Sequence, residues 1–175
     1  ESAPDAFDVT LFNAEPRGNY NRIMLSPVLS GERVFLTGLA KGRLVTLAVD
    51  KADGKIAWQR PAPKVELEKV HKASHPAAPS VLVAQNRVFT YFGSYGLICH
   101  DHDGRELWKV VFSGFSQSSR PIAGEGMVFL NTGFMKPELW AVKTDGTGDI
   151  TASHVVWKRR RAVPTMASPL LTDGR

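Results

Sequence analysis

Cysteine is nearly absent: Cys99 stands alone in the 175 residues. An intrachain disulfide is therefore excluded, and so is a cysteine-rich zinc site. Cys99 sits in the apolar segment Leu97-Ile98-Cys99, which reads as a small buried side chain rather than a reactive thiol. Long hydrophobic runs are also missing. None reaches the roughly 18 residues that a membrane-crossing helix needs. Glu1 opens a polar stretch with no basic and apolar leader before it, so no signal peptide is expected within the chain. Sustained helical patterning is lacking too, because Gly or Pro ends nearly every candidate at about eight residues.

Several chemical signatures are absent as well. Ser116-Gln117-Ser118-Ser119 has hydroxyls but no G-x-S-x-G elbow. Gly124-Glu125-Gly126 lacks the third glycine and the following helix of a dinucleotide loop. His71 and His75 are four apart, a spacing that on a helix would set two imidazoles on one face. Pro76 opposes such a helix, and Lys72 stands where a zinc hydrolase motif needs Glu. No metal site is expected, and 64–76 reads as an inter-blade loop in which His71 and His75 are the candidate ligand residues. His100-Asp101-His102-Asp103-Gly104 reads as a hairpin turn, since Glu106 comes too early for a calcium loop.

The net charge is +5, with Lys158-Arg159-Arg160-Arg161 as its densest run. Such charge suits a polyanion. No aromatic or glycine motif interleaves it, so nucleic acid is not the expected partner and the run reads as solvated.

What the chain does contain is a repeat. Ser26-Pro27-Val28, Ala78-Pro79-Ser80 and Arg120-Pro121-Ile122 each open a copy. Strands with Arg33-Val34-Phe35, Arg87-Val88-Phe89 and Met127-Val128-Phe129 follow. Each copy then passes an Asp-Gly turn (Asp53-Gly54, Asp103-Gly104, Asp145-Gly146) and ends on a strand with Trp58, Trp108 or Trp157. The three tryptophans are 50 and 49 residues apart. A seven-residue insertion, Thr147 to Ser153, lengthens the third copy, and a fourth opens at Ser168-Pro169. Four short strands every 40 to 50 residues predict β-propeller blades. The expected architecture is all-β, with four antiparallel strands per blade. Blade 1 spans 24–63, blade 2 spans 77–112, and blade 3 spans 113–161 with its insertion at 147–153. The start of blade 4 is at 162–175, and 1–23 is an N-terminal segment that could supply a strand of a preceding blade. One tryptophan per blade is expected to pack into the seam with its neighbour, because an indole buries roughly 150–250 Å².

The segment Ala48-Val49-Asp50-Lys51-Ala52-Asp53-Gly54-Lys55-Ile56-Ala57-Trp58 resembles the Ala-x-Asp-x-x-x-Gly-Lys-x-x-Trp docking motif of pyrroloquinoline-quinone-type propeller repeats. The second copy has Cys99 at the Ala position and one residue fewer between Asp101 and Gly104. The third keeps Ala141 and Trp157 around the insertion. The resemblance implies a piece of a seven- or eight-bladed quinoprotein-like propeller, with Trp58, Trp108, Trp157, Asp50, Gly54 and Gly104 docking the blades. It implies the exported, periplasmic or secreted group that binds no quinone: a scaffold for a protein or ligand, with no cofactor. The partner would be another protein or the remaining blades. The alternative is a quinone- and calcium-dependent dehydrogenase, whose family pattern adds an adjacent cysteine pair that this chain does not have.

Overall fold

The computed structural model describes residues 28–70 and 75–171. The segment 1–23, His71 and the end of the fourth copy lie outside the described residues. Among the described residues every regular element is a β-strand. The first sheet is built in chain order from β1 (Val28–Ser30), β2 (Arg33–Ala40), β3 (Arg43–Asp50) and β4 (Ile56–Pro61). The second contains β5 (Leu82–Ala84), β6 (Arg87–Phe92), β7 (Gly96–Asp101) and β8 (Glu106–Val111). The third contains β9 (Ile122–Gly124), β10 (Met127–Asn131), β11 (Leu139–Lys143) and β13 (Val155–Arg159). All pairings within these sets are antiparallel. The innermost strands touch in order, β1 against β5 and β5 against β9. These are consecutive blades of a propeller.

Local chemistry explains the regularity. The first hairpin of each blade closes on two residues: Gly31-Glu32, Gln85-Asn86 and Glu125-Gly126. Backbone φ is positive at Gly31, and at both residues of the other two turns. Such primed turns carry the right-handed twist that short antiparallel strands need. A second regularity lies in the outer strands. The register shifts at Ala48/Val49, Cys99/His100 and Ala141/Val142. In each case one extra residue (Ala57, Leu107 or Val156) precedes the tryptophan. A bulge bends its strand and re-aims the next side chain. Here it turns each indole onto the face of a small partner: Ala48 opposite Trp58, Cys99 opposite Trp108 and Ala141 opposite Trp157.

One expectation is corrected. The insertion 147–153 is more than a loop of blade 3, because it contains β12 (Gly148–Asp149), which pairs in parallel with Trp108 and Lys109 on the outer edge of β8. The second sheet thus has five strands, one of them parallel. Ile150 N–H extends the pairing to the Lys109 carbonyl at 3.0 Å, and Val111 N–H donates to Thr151 Oγ1 at 2.8 Å. Ile150 joins the core between blades 2 and 3, beside Phe89, Trp108, Leu130 and Trp140. Its burial explains why so short a strand holds.

Candidate functional site

The two ends of the blades differ. At one end, the turns between third and fourth strands meet the tryptophans of the preceding blade. Trp58 Nε1–H donates to the His102 carbonyl at 2.8 Å, and Trp108 Nε1–H donates to the Thr144 carbonyl at 3.0 Å. Gly104, at φ +80°, lies flat under the first indole: a methyl there would stand 2.7 Å from Trp58 Cδ2. Each indole is braced within its own blade by a phenylalanine, with centroids 5.9 Å (Phe35–Trp58), 5.7 Å (Phe89–Trp108) and 6.0 Å (Phe129–Trp157) apart. Asp50 and Asp101 shape the turns. Asp50 Oδ1 accepts from Ala52 N–H, and Asp101 Oδ1 accepts from Asp103 and Arg105 N–H. Gly54 N–H closes its turn on the Asp50 carbonyl at 2.9 Å.

Arginines share this grip. Arg33 Nη1–H donates to the His102 carbonyl and pairs with Asp103 at 3.0 Å. Arg87, at the same place in blade 2, donates to the Thr144 carbonyl. Arg60 Nε–H reaches the Gly104 carbonyl at 2.7 Å, with its guanidinium 5.8 Å from the Trp58 ring centre. The signal was the recurrence of Arg immediately before Val-Phe in two copies.

The first seam also buries imidazoles. His100 lies 6.0 Å from Trp58 and His102 lies 5.2 Å from Phe35, centroid to centroid. His100 Nδ1 and His102 Nε2 are buried without a hydrogen-bond partner. Burial lowers the His100 pKa from 6.5 to about 4, with Arg60 adding to the effect and Glu106 and Asp101 opposing it. Cys99 lies in the neighbouring seam, and burial pushes its thiol up to about 12.

Loops gather at the opposite end. Glu68, after β4, receives the Ser116 N–H at 2.6 Å, and its own N–H donates to Ser94 Oγ at 3.0 Å. Burial raises the Glu68 pKa, against the Ser116 hydrogen bond. The Asn131 carbonyl accepts from the Tyr91 hydroxyl and from Gln117 Nε2. The Asn131 side chain donates to the Pro164 carbonyl. These polar groups tie loops of three blades together. Beside them is an open hollow of about 320 Å³, lined by Ser113, Gly114, Phe115, Thr132, Met135 and Lys136. Phe115, Phe134 and Met135 present 38%, 49% and 68% of their surface.

The remaining candidates fall elsewhere. His75 Nδ1 accepts from Ala77 N–H, a local turn contact. In the basic run, Lys158 Nζ sits 3.6 Å above the Trp140 ring. Arg160 pairs with Glu138 at 2.6 Å. The Trp140 indole N–H, then Arg160, hold the Glu138 carboxyl below its usual range, with burial opposing. The single cysteine is buried in a seam, Trp58 and Trp108 are committed to turn carbonyls, and among the described residues no three His, Cys, Asp or Glu side chains gather to hold a cation.

No curated protein matches the chain. Among solved structures, a europium-containing methanol dehydrogenase aligns with a TM-score of 0.53 at 17% identity, over 75% of this chain and 23% of its own. The quinohemoprotein alcohol dehydrogenase of Comamonas testosteroni aligns with a TM-score of 0.54 at 16% identity, over 77% and 20%. BamB of Moraxella catarrhalis aligns with a TM-score of 0.52 at 15% identity, over 77% and 37%. The chain thus spans only a fifth to little more than a third of these relatives, and the likeness is one of fold. The family model described as outer membrane protein assembly factor BamB matches residues 41–175, and the chain belongs to that PQQ-like propeller family.

Proposed function

We propose that these blades belong to a non-catalytic propeller scaffold in an exported protein, and that their loop face binds a protein partner. The reading is carried by the exposed apolar side chains on that face. Its buried and half-buried polar side chains hold loops to one another, as Glu68 does with Ser116 and Gln117 with Asn131. Three of its exposed side chains are large and apolar: Phe115 and Met135 line the open hollow together with the exposed Ser113 and Lys136, and Phe134 is their chain neighbour. Apolar and aromatic side chains ringed by polar ones suit a protein interface. The namesake of the matched family is an assembly factor, which favours a protein partner over a small ligand. A periplasmic location accords with that family, and no cofactor is required by this reading.

The dehydrogenase reading has behind it the fold likeness to a methanol dehydrogenase and a quinohemoprotein alcohol dehydrogenase. A polyanion surface has less support, since Lys158 and Arg160 are engaged with Trp140 and Glu138. The test uses the full-length protein. Pyrroloquinoline quinone with Ca²⁺ is expected to leave its melting midpoint unchanged and to give no dye reduction with primary alcohols. A photo-cross-linker at Met135 is expected to trap one discrete protein from periplasmic extract, while one at Gln59 traps none. Quinone-dependent turnover would overturn the proposal, as would identical cross-linking from the two positions.

A further inference from the structure

Loops of three blades meet at the loop end with little room between them. A methyl group on Gly93 would stand 2.3 Å from Glu68 Oε1. One on Gly114 would stand 2.5 Å from the Thr132 carbonyl oxygen, and one on Gly133, at φ +102°, would stand 2.2 Å from the Phe115 carbonyl oxygen. At the middle of this junction is the peptide group between Phe115 and Ser116. Its carbonyl accepts from Phe134 N–H at 2.8 Å, and its N–H donates to Glu68 Oε2 at 2.6 Å. One peptide plane therefore ties Phe115 to the Phe134–Met135 loop on one side and to Glu68 on the other. Ser116 holds φ +50°, a left-handed conformation that serine adopts rarely and keeps only where its surroundings hold it.

Glu68 comes from a different blade. It lies on a strap, 62–70, that leaves β4 of blade 1 and crosses the hairpin ends of blades 1 and 2. The strap is fixed before it reaches Ser116. Ala62 N–H donates to the Leu44 carbonyl at 2.8 Å, and the Arg43 guanidinium donates to the Ala62 carbonyl at 2.7 Å. Val65 and Leu67 pack on the buried cluster of Leu44, Phe92, Tyr95 and Ile98. Glu68 N–H is held by Ser94 Oγ, and Gly93 leaves the space that the carboxylate fills. The carboxylate thus arrives with its position set, and a backbone N–H bonded to a charged acceptor is among the stronger hydrogen bonds.

We propose that Glu68 is a positioning residue for the apolar rim of the loop face: blade 1, through its strap, sets the peptide between Phe115 and Ser116 and with it the hollow between blades 2 and 3. Blade 1 supplies none of the residues that line this hollow. The proposal rests on the loop-face reading for its purpose and on the hydrogen bonds alone for its geometry. Without the carboxylate, Ser116 is free to return to negative φ. The peptide plane then turns, and the Phe115 carbonyl leaves Phe134.

Hydrogen exchange of the full-length protein, resolved to single amides, tests this. The Ser116 and Phe134 N–H groups are expected to be protected in unsubstituted protein. In Glu68→Ala both are expected to exchange faster, on the order of tenfold, while Ile150 N–H on the outer edge of blade 2 keeps its rate. Glu68→Gln is expected to restore most of the protection, because its side-chain amide oxygen accepts the same bond. The cross-linked product from Met135 is expected to be lost in Glu68→Ala and regained in Glu68→Gln. A Ser116 amide that exchanges freely in unsubstituted protein would overturn the proposal without any variant. Unchanged rates in Glu68→Ala, a rise shared equally by Ile150, or a Met135 product indifferent to both substitutions would also overturn it. Absence of any Met135 product from unsubstituted protein is instead a failure of the partner reading, and the exchange rates then decide whether Glu68 holds the peptide.

Discussion

Cys99 shows how one position is read by its neighbours. It faces Trp108 where Ala48 and Ala141 face the other two indoles. Space there is set by the ring, so the side chain must be small. Cys99→Ala is expected to cost less than about 1.5 kcal/mol, and Cys99→Leu about 1–3 kcal/mol through overpacking. Chemical denaturation would measure both. With its thiol buried and pushed up to about 12, Cys99 is expected to stay unreactive toward a thiol reagent at pH 8 until the protein unfolds. His100 makes a different demand, because its buried Nδ1 has no partner. Its pKa falls from 6.5 to about 4 on folding. The unfolded chain therefore binds the proton more readily. Stability is full above pH 6.5 and declines as the pH is lowered toward 4, by on the order of 3 kcal/mol in all. Val49 and Val142 occupy the matching register positions in the other blades. His100→Val should flatten the pH dependence in that window, as read by melting at pH 7 and pH 4.5. An unchanged slope would contradict the assignment.

The elements were legible to different degrees. Val-Phe strands bounded by Gly, Asp and Asn gave away the sheets, and the spacing of Trp58, Trp108 and Trp157 gave away their repetition. The bulges were hidden, because an offset of one residue exists only in the pairing of two strands. Arg33 and Arg87 were equally hard to see, since an arginine opening a strand looks solvated until the neighbouring turn is placed against it. The segment Gly148-Asp149 carried no alternation at all, and its pairing follows from Ile150 entering the core. This edge strand protects β8 from pairing with other chains. Thr151 holds it twice, accepting from Val111 N–H at 2.8 Å and bonding Asp149 at 2.6 Å. Thr151→Val should cost about 1 kcal/mol and speed amide exchange at Val111. Exchange unchanged at that amide would mean that the edge strand does not cover β8.

The whole molecule is a series of seams rather than one core. Blades 1 and 2 enclose Phe35, Trp58, Val81 and Val88, while blades 2 and 3 enclose the larger set around Phe89, Trp108 and Trp140. In such arrays stability is a sum of blade and interface contributions. Each indole therefore reports on its own seam. The candidate site was less legible than the fold: His71 and His75 drew the eye as imidazoles, whereas the exposed apolar rim of Phe115, Phe134 and Met135 emerged only once loops of different blades were brought together. The account stands on indole rings that cross from one blade to the turn of the next. Hydrogen exchange of the four indole N–H groups in this 175-residue chain tests it most directly. Trp58 and Trp108 should be strongly protected, Trp140 partly protected through Glu138, and Trp157 should exchange fast. Exchange at Trp58 and Trp108 as rapid as at Trp157 would contradict the account.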